Sequence, residues 1–217
     1  MRRYVLAALL IAATALAAGG GAAALLQVTS ARLTTQTFTD VVGTATLRPN
    51  QDRDTSIDND WNNESGNRCN SAPSGSPVQC YLSLRDSNDA TYITTGNNPS
   101  NRKAEFELDN APIDVPATGS PVVLVKVSFR AQKAGNGNRT LTATVELKSG
   151  TTTIASASST NVPASFTTIT GSDTSVSLTR TQVDNLYVVV TANTAGGGSG
   201  NNQLRVSEIW VDITYLK

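Results

Sequence analysis

The sequence predicts an all-β fold: an antiparallel β-sandwich preceded by an N-terminal hydrophobic helix. Three observations carry the prediction. Apolar and polar residues alternate with a period of two through the body of the chain, and helical periodicity is nearly absent. Thr, Ser, Asn and Gly are abundant, a mix that suits wet sheet faces and the turns between strands. The alternating runs are punctuated by Gly, Pro and Asn, so roughly nine to ten strands can form two sheets, each burying one face.

The elements follow in order. "MRRYVLAALLIAATALAAGGGAAALLQV" opens with two arginines and is apolar from Tyr4 to Val28. It reads as a signal peptide, with small residues around Ala15–Ala18, or as a retained hydrophobic helix long enough to span a bilayer. Residues 29–46, with "TTQTFTDVVGTATL", read as a linker or an exchangeable strand able to pair with a neighbour's sheet edge. The sandwich is expected over residues 47–217. "AEFELD" alternates Ala104, Phe106 and Leu108 against Glu105 and Glu107. "VVLVKVSFRA" places Val123, Val125, Val127 and Phe129 on one face, with Lys126, Ser128 and Arg130 on the other. "TLTATVELKSG" sets Leu141, Ala143, Val145 and Leu147 inward, and Ser149-Gly150 turns the chain into "TTTIASAS". "TRTQVDNL" offers Thr179 and Gln182 at capping-box spacing, a short helix or an ordinary turn. "NLYVVVTAN" and "LRVSEIWVDITYL" close the domain. In the last strand Ile209, Val211, Ile213 and Tyr215 face one way, and Glu208, Trp210, Asp212 and Thr214 the other.

Composition narrows the function. The 217 residues carry formal net charge +0 and no basic block, which argues against nucleic acid as a partner. There is no histidine, which removes Ser-His-Asp and Cys-His catalysis and His-based zinc sites. Carboxylate chemistry survives that cut, with Glu105, Glu107, Glu146, Glu208 and Asp212 on outward strand phases. They read far better as solvated faces than as a catalytic dyad, and no enzymatic activity is expected. The two cysteines, Cys69 and Cys80, flank a Pro/Gly/Ser loop and predict a disulfide and an extracellular or cell-surface location. Contact with a membrane is expected only through residues 4–28, if they are retained.

"SIDNDWNNESGNRC" collects the candidate ligands. Asp58, Asp60 and Asn62 start like a calcium loop, but Asn63 stands where glycine should turn it and Cys69 where the bidentate glutamate belongs. Calcium is therefore one option, with Asp52, Asp54 and Glu64 as further oxygens, against a solvated Asp/Asn turn. Trp61 is a candidate sugar-stacking ring or a cap on the core. Tyr187 and Trp210, on polar phases of strands that could be neighbours, are candidates for glycan or partner contact. Asn63 and Asn138 head N-glycosylation sequons.

From "TLRPNQD" and Trp61 through "YLSLRDSNDATYI", "VVLVKVSFRAQK", "LTATVELKSGTTTIASAS" and "LYVVVTAN" to "LRVSEIWVDITY", the chain resembles jelly-roll modules of phage structural and bacterial surface proteins. The resemblance spans roughly Thr46 to Leu216. It implies a jelly-roll sandwich in a surface or appendage role, and it transfers no catalytic residues. The Cys69–Cys80 loop and the N-terminal apolar run lie outside that pattern. The expected function is a non-catalytic, exported structural or adhesive subunit, self-associating into a filament or appendage. The alternative is a carbohydrate-binding module with a structural calcium.

Overall fold

The computed structural model describes residues 41–53, 60–69 and 79–217. The expected N-terminal helix, residues 29–40 and Asp58 lie outside the described residues. The strands are β1 (Val42–Leu47), β2 (Pro49–Asp52), β3 (Asn62–Asn63), β4 (Ile93–Thr94), β5 (Arg102–Leu108), β6 (Val122–Gly135), β7 (Thr140–Ser149), β8 (Thr152–Ser159), β9 (Thr167–Thr170), β10 (Thr174–Leu178), β11 (Leu186–Ala195) and β12 (Asn202–Leu216). A 3-10 turn covers Cys80–Leu84, and the short helix α1 covers Arg180–Asp184.

Alternation alone cannot say which strands pair; the ladders do. One sheet is built on the long antiparallel pair β6–β12. β1 and β4 flank β12 on its other side, β3 lies beyond β4, and β9 and β10 flank β6. The second sheet has the order β2-β5-β11-β7-β8. The chain is thus a ribbon folded back on itself: β1 pairs with β12, β5 with β11, β6 with β10, and β7 with β8, all antiparallel. Between β1 and β2 the chain passes from one sheet to the other at Arg48, and the end of the stretch expected as a linker or an exchangeable strand pairs with β12.

The two inner faces meet in one apolar core that includes Phe106, Phe129, Leu141, Leu147, Leu204 and Ile213, each at most 1% exposed. β5 and β7 bury the residues their alternation predicts. β6 and β12 depart from strict alternation at bulges, where an extra residue flips the inward phase. In β6 the register shifts between Thr214 and Tyr215 of its partner, so Val122, not Val123, is fully buried. In β12 the shift falls between Val206 and Glu208. Leu204 and Val206 face the core before it, Ile209, Val211, Ile213 and Tyr215 after it, and Ser207 is the extra residue.

Local chemistry fixes the connections. The Ser149-Gly150 turn closes the β7–β8 hairpin with Gly150 at φ 57°, a left-handed conformation that favours glycine. α1 begins with the full capping box: Gln182 N–H donates to Thr179 Oγ1 at 3.1 Å, and Thr179 N–H donates to Gln182 Oε1 at 2.9 Å. Val183 plugs this helix into the core. The expected Cys69–Cys80 disulfide is formed. Beside it Asp52 accepts the backbone N–H groups of Cys80 at 2.7 Å and Tyr81 at 2.6 Å, so β2, the 3-10 turn and the cystine are tied together. Gly43 sits opposite Tyr215, and a Cβ there would come within 2.4 Å of its ring; only glycine lets β1 lie flat over that side chain.

Candidate functional site

The outward phase of β12 after its bulge presents Glu208, Trp210, Asp212 and Thr214 on the outer face of the first sheet. Register sets the neighbours of Trp210: Ser128 of β6 lies directly opposite, and Thr170 of β9 is one strand further. The Ser128 and Thr170 hydroxyls are hydrogen-bonded at 3.2 Å. The half-buried Trp210 ring therefore lies among small hydroxyl-bearing side chains.

Two charge pairs sit beside it. Glu208, 6% exposed, accepts from Arg48 Nη1 at 2.6 Å and from Ser87 Oγ at 3.1 Å. Arg48 leads out of β1, so the strand that crosses between sheets also carries this cation. Arg130, opposite Glu208 in the ladder, grips both carboxylate oxygens of Asp89 at 2.7 Å, and Ser207 Oγ adds a bond to Asp89 at 2.9 Å. The Arg130 hydrogen bond holds the Asp89 carboxyl below the usual carboxylate range and raises the guanidinium in return. On the other side of Trp210, Thr46 donates to Asp212 at 2.6 Å. Lys126 pairs with Asp173 at 2.8 Å, which raises its pKa. A shallow open trough of about 500 Å³, lined by Thr44, Ala45, Thr46, Asp212, Ile213 and Thr214, runs along this margin. Chemically the face offers one flat apolar ring, hydroxyls, and paired charges that can exchange hydrogen bonds with a polar ligand.

The other candidates do not join it. Trp61 is 0% exposed and belongs to the core, so neither ring face is open to a sugar. Tyr187 lies on β11, in the opposite sheet from Trp210, so the strands that could have been neighbours are not. Arg53 stacks over the Tyr187 ring at 4.2 Å, and the phenol donates to the Gly150 carbonyl at 2.5 Å. One face of that ring is therefore taken by a guanidinium.

In the acidic loop, Asp60 Oδ2 lies 2.7 Å from Arg102 Nε, an ion pair made by proximity, since that nitrogen makes no aligned hydrogen bond. Asn62 sits in β3, paired with Thr94, and its side-chain amide donates to the Asp60 carbonyl at 3.4 Å. Glu64 accepts from Ser83 Oγ at 2.9 Å. Among the described residues no three Asp, Glu, Cys or His side chains are grouped to hold a metal ion. Asn63 uses its side-chain oxygen to accept the N–H groups of Ser65 at 3.1 Å and Asn67 at 2.9 Å, an Asx turn. Asn138 is exposed between β6 and β7.

The outward acids of the second sheet are likewise engaged. Arg53 Nε is 3.3 Å from Glu105 and its Nη1 is 3.9 Å from Glu107, and Glu146 accepts from Thr153 Oγ1 at 3.1 Å. Sequence reasoning missed Arg48, Ser87 and Asp89. Only a residue's outward phase was readable, as for Arg130; a loop aspartate that folds back onto it leaves no local signal.

No family model matches the chain, and no curated protein matches it. Among solved structures it is similar to the CBM36-1 domain of a multidomain xylanase from the hindgut metagenome of Trinervitermes trinervoides. The identity is 14%, the alignment covers 59% of this chain and 82% of that one, and the TM-score is 0.31.

Proposed function

We propose that the chain is an exported, non-catalytic jelly-roll domain that serves as a structural or adhesive subunit at a cell or particle surface. The order of strands supports the jelly roll: four antiparallel pairs nested from the outermost, β1–β12, to the innermost, β7–β8, are what a ribbon wrapped into two sheets produces. One observation carries the functional reading. The carboxylates on both outer faces are committed to cross-linking their own surface: Glu208 to Arg48, Asp89 to Arg130, Asp212 to Thr46, Glu105 to Arg53 and Glu146 to Thr153. An acid or base that must give and take protons is poorly served by such bonds, whereas a scaffold that must keep its shape in the open is well served. The disulfide fits an oxidising compartment.

Electron microscopy of the exported material tests this, together with adhesion of expressing cells. Fibres, arrays or gain of adhesion are expected; turnover of any substrate that is lost on changing one of the paired acids would overturn it. A second reading rests on Trp210 and its hydroxyl-lined surroundings: glycan binding through the outer face of the first sheet. Glycan-array binding that disappears in Trp210→Ala and survives in Tyr187→Ala would favour it.

A further inference from the structure

Among the described residues β1 has one paired side and one open side. Lys217 N–H donates to the Val41 carbonyl at 2.8 Å, which makes Val41 and the residues two apart from it the ones that bond to β12. The N–H and C=O groups of Val42, Thr44 and Thr46 must then point away from β12. Arg48, next in that series, is satisfied by Asp109, through a bond in each direction. Among the described residues no backbone group pairs with the other three.

The remaining strand margins carry the devices that discourage strand addition. β2 starts with Pro49 and shifts register between Pro49 and Gln51. β10 shifts between Ser175 and Leu178. β8 is irregular opposite Leu147/Lys148, and Gly171 lies so close to it that a Cβ would meet the Ser156 carbonyl oxygen at 2.2 Å. β9 and β3 are only four and two residues long. β1, "VGTATL", has no charge, no proline and six ladder pairs in a row without a shift. Its first residue, Val42, is 54% exposed, and Val41 and Leu216 beside it are 60% and 37% exposed.

We propose that β1 pairs antiparallel with the β1 of a second copy, about a two-fold axis that passes between Thr44 and the partner subunit's Thr44, so that the first sheet runs on from one copy into the other. This rests on the structural-subunit reading and deepens it by naming one of its joints, the one that makes a dimer, since a two-fold interface closes on itself. Two-fold pairing sets Thr44 opposite the partner subunit's Thr44, and Val42 opposite the partner subunit's Thr46, so the three outward residues of each strand satisfy one another. The side chains also agree. The β1–β12 register places Leu216 beside Val42, Thr214 beside Thr44, and Asp212 beside Thr46. Across the joint the outer rows then read Leu-Val-Thr-Asp, Thr-Thr-Thr-Thr and Asp-Thr-Val-Leu. The central row is β-branched throughout, apolar ends meet polar ones, and the two Asp212 carboxylates fall at opposite corners, so no like charges meet.

Three variants of the protein as exported test the joint. Thr44→Cys introduces the one free thiol, since Cys69 and Cys80 are joined. Directly opposed hydrogen-bonded residues have Cα atoms about 5.5 Å apart, within disulfide reach. Mild oxidation should therefore give a covalent dimer, and Thr214→Cys, one strand further in, should not. Thr44→Pro removes an N–H that β12 does not use, on an edge strand where the fixed φ of proline is tolerated, and should convert dimer to monomer in light scattering with an unchanged circular dichroism spectrum. A monomeric wild-type protein at high concentration, or dimers that persist in Thr44→Pro while Thr44→Cys stays unlinked, would overturn the proposal. Fibres or adhesion that persist in a monomeric Thr44→Pro protein would sink this joint and leave the subunit reading standing; dimers with neither property would do the reverse.

Discussion

Replacing both cysteines by alanine should lower stability by about 2.8 kcal/mol. The bond closes a loop of sequence separation 11, and the loop-closure entropy denied to the unfolded chain comes to that value at 25 °C. Alanine is the suitable replacement because both cysteines are at most 1% exposed, and a serine hydroxyl would add its own burial cost. The two cysteines keep other ties in the folded chain: Cys69 N–H donates to the Trp61 carbonyl at 2.9 Å, and Asp52 holds the two N–H groups at the start of the 3-10 turn. The loss should therefore come mainly through the unfolded state. For a domain of this size about 2–4 °C of melting temperature accompanies each kcal/mol, so Tm should fall by about 6–11 °C. Urea unfolding followed by tryptophan fluorescence measures the free energy directly, and thiol titration of the denatured wild type should find none free. A loss below about 1 kcal/mol with a native spectrum would refute the reasoning, because the ring would then not be what limits the unfolded chain.

Three further outcomes follow from single contacts. Gly43→Ala drives a methyl into the Tyr215 ring, which is held by a 2.6 Å hydrogen bond to Asp114, and should cost about 1–3 kcal/mol in urea unfolding; an unchanged midpoint would show that the ring yields freely. Acrylamide should quench Trp210 and spare the fully buried Trp61, so Trp61→Phe should leave only quenchable emission and Trp210→Phe only protected emission. Stability should be flat from about pH 5 to 9 and fall on both sides. Asp89 and Asp114 have lowered pKa values, chiefly through hydrogen bonds from Arg130 and Tyr215, so their contribution is present above the unfolded carboxylate value and lost as pH falls through the folded one. Lys126, Lys217 and Tyr215 have raised values, chiefly through bonds to Asp173 and Asp114, so their contribution holds below their unfolded values and is lost as pH rises through the folded ones. Thermal melts across pH check this; a transition near pH 6.5 would contradict a chain without histidine.

What could be read from the sequence was whatever depends on near neighbours. The inward faces of β5 and β7, the capping box of α1 and the Ser149-Gly150 hairpin each rest on residues within a few positions of one another, and the cystine on two residues 11 apart. What could not be read depends on partners far along the chain. The bulge at Ser207 is defined by its opposite strand, so alternation read without it misses Leu204 and Val206 as core residues. Likewise nothing local says that β11 and β12, consecutive and similar in pattern, belong to different sheets, which is what separates Tyr187 from Trp210. The polar network beside Trp210 is the extreme case. Arg48 and Glu208 are 160 positions apart, and Asp89 reaches Arg130 and Ser207 from a loop with no pattern of its own.

The bond from Lys217 N–H to the Val41 carbonyl puts the two ends of the domain side by side. A load that entered at Val41 and left at Lys217 would bear on the β1–β12 ladder one rung at a time, opening it like a zipper rather than shearing all its bonds at once. The turns at 136–139 and 196–201 lie at the opposite end of the β6–β12 ladder, where such a load would arrive last.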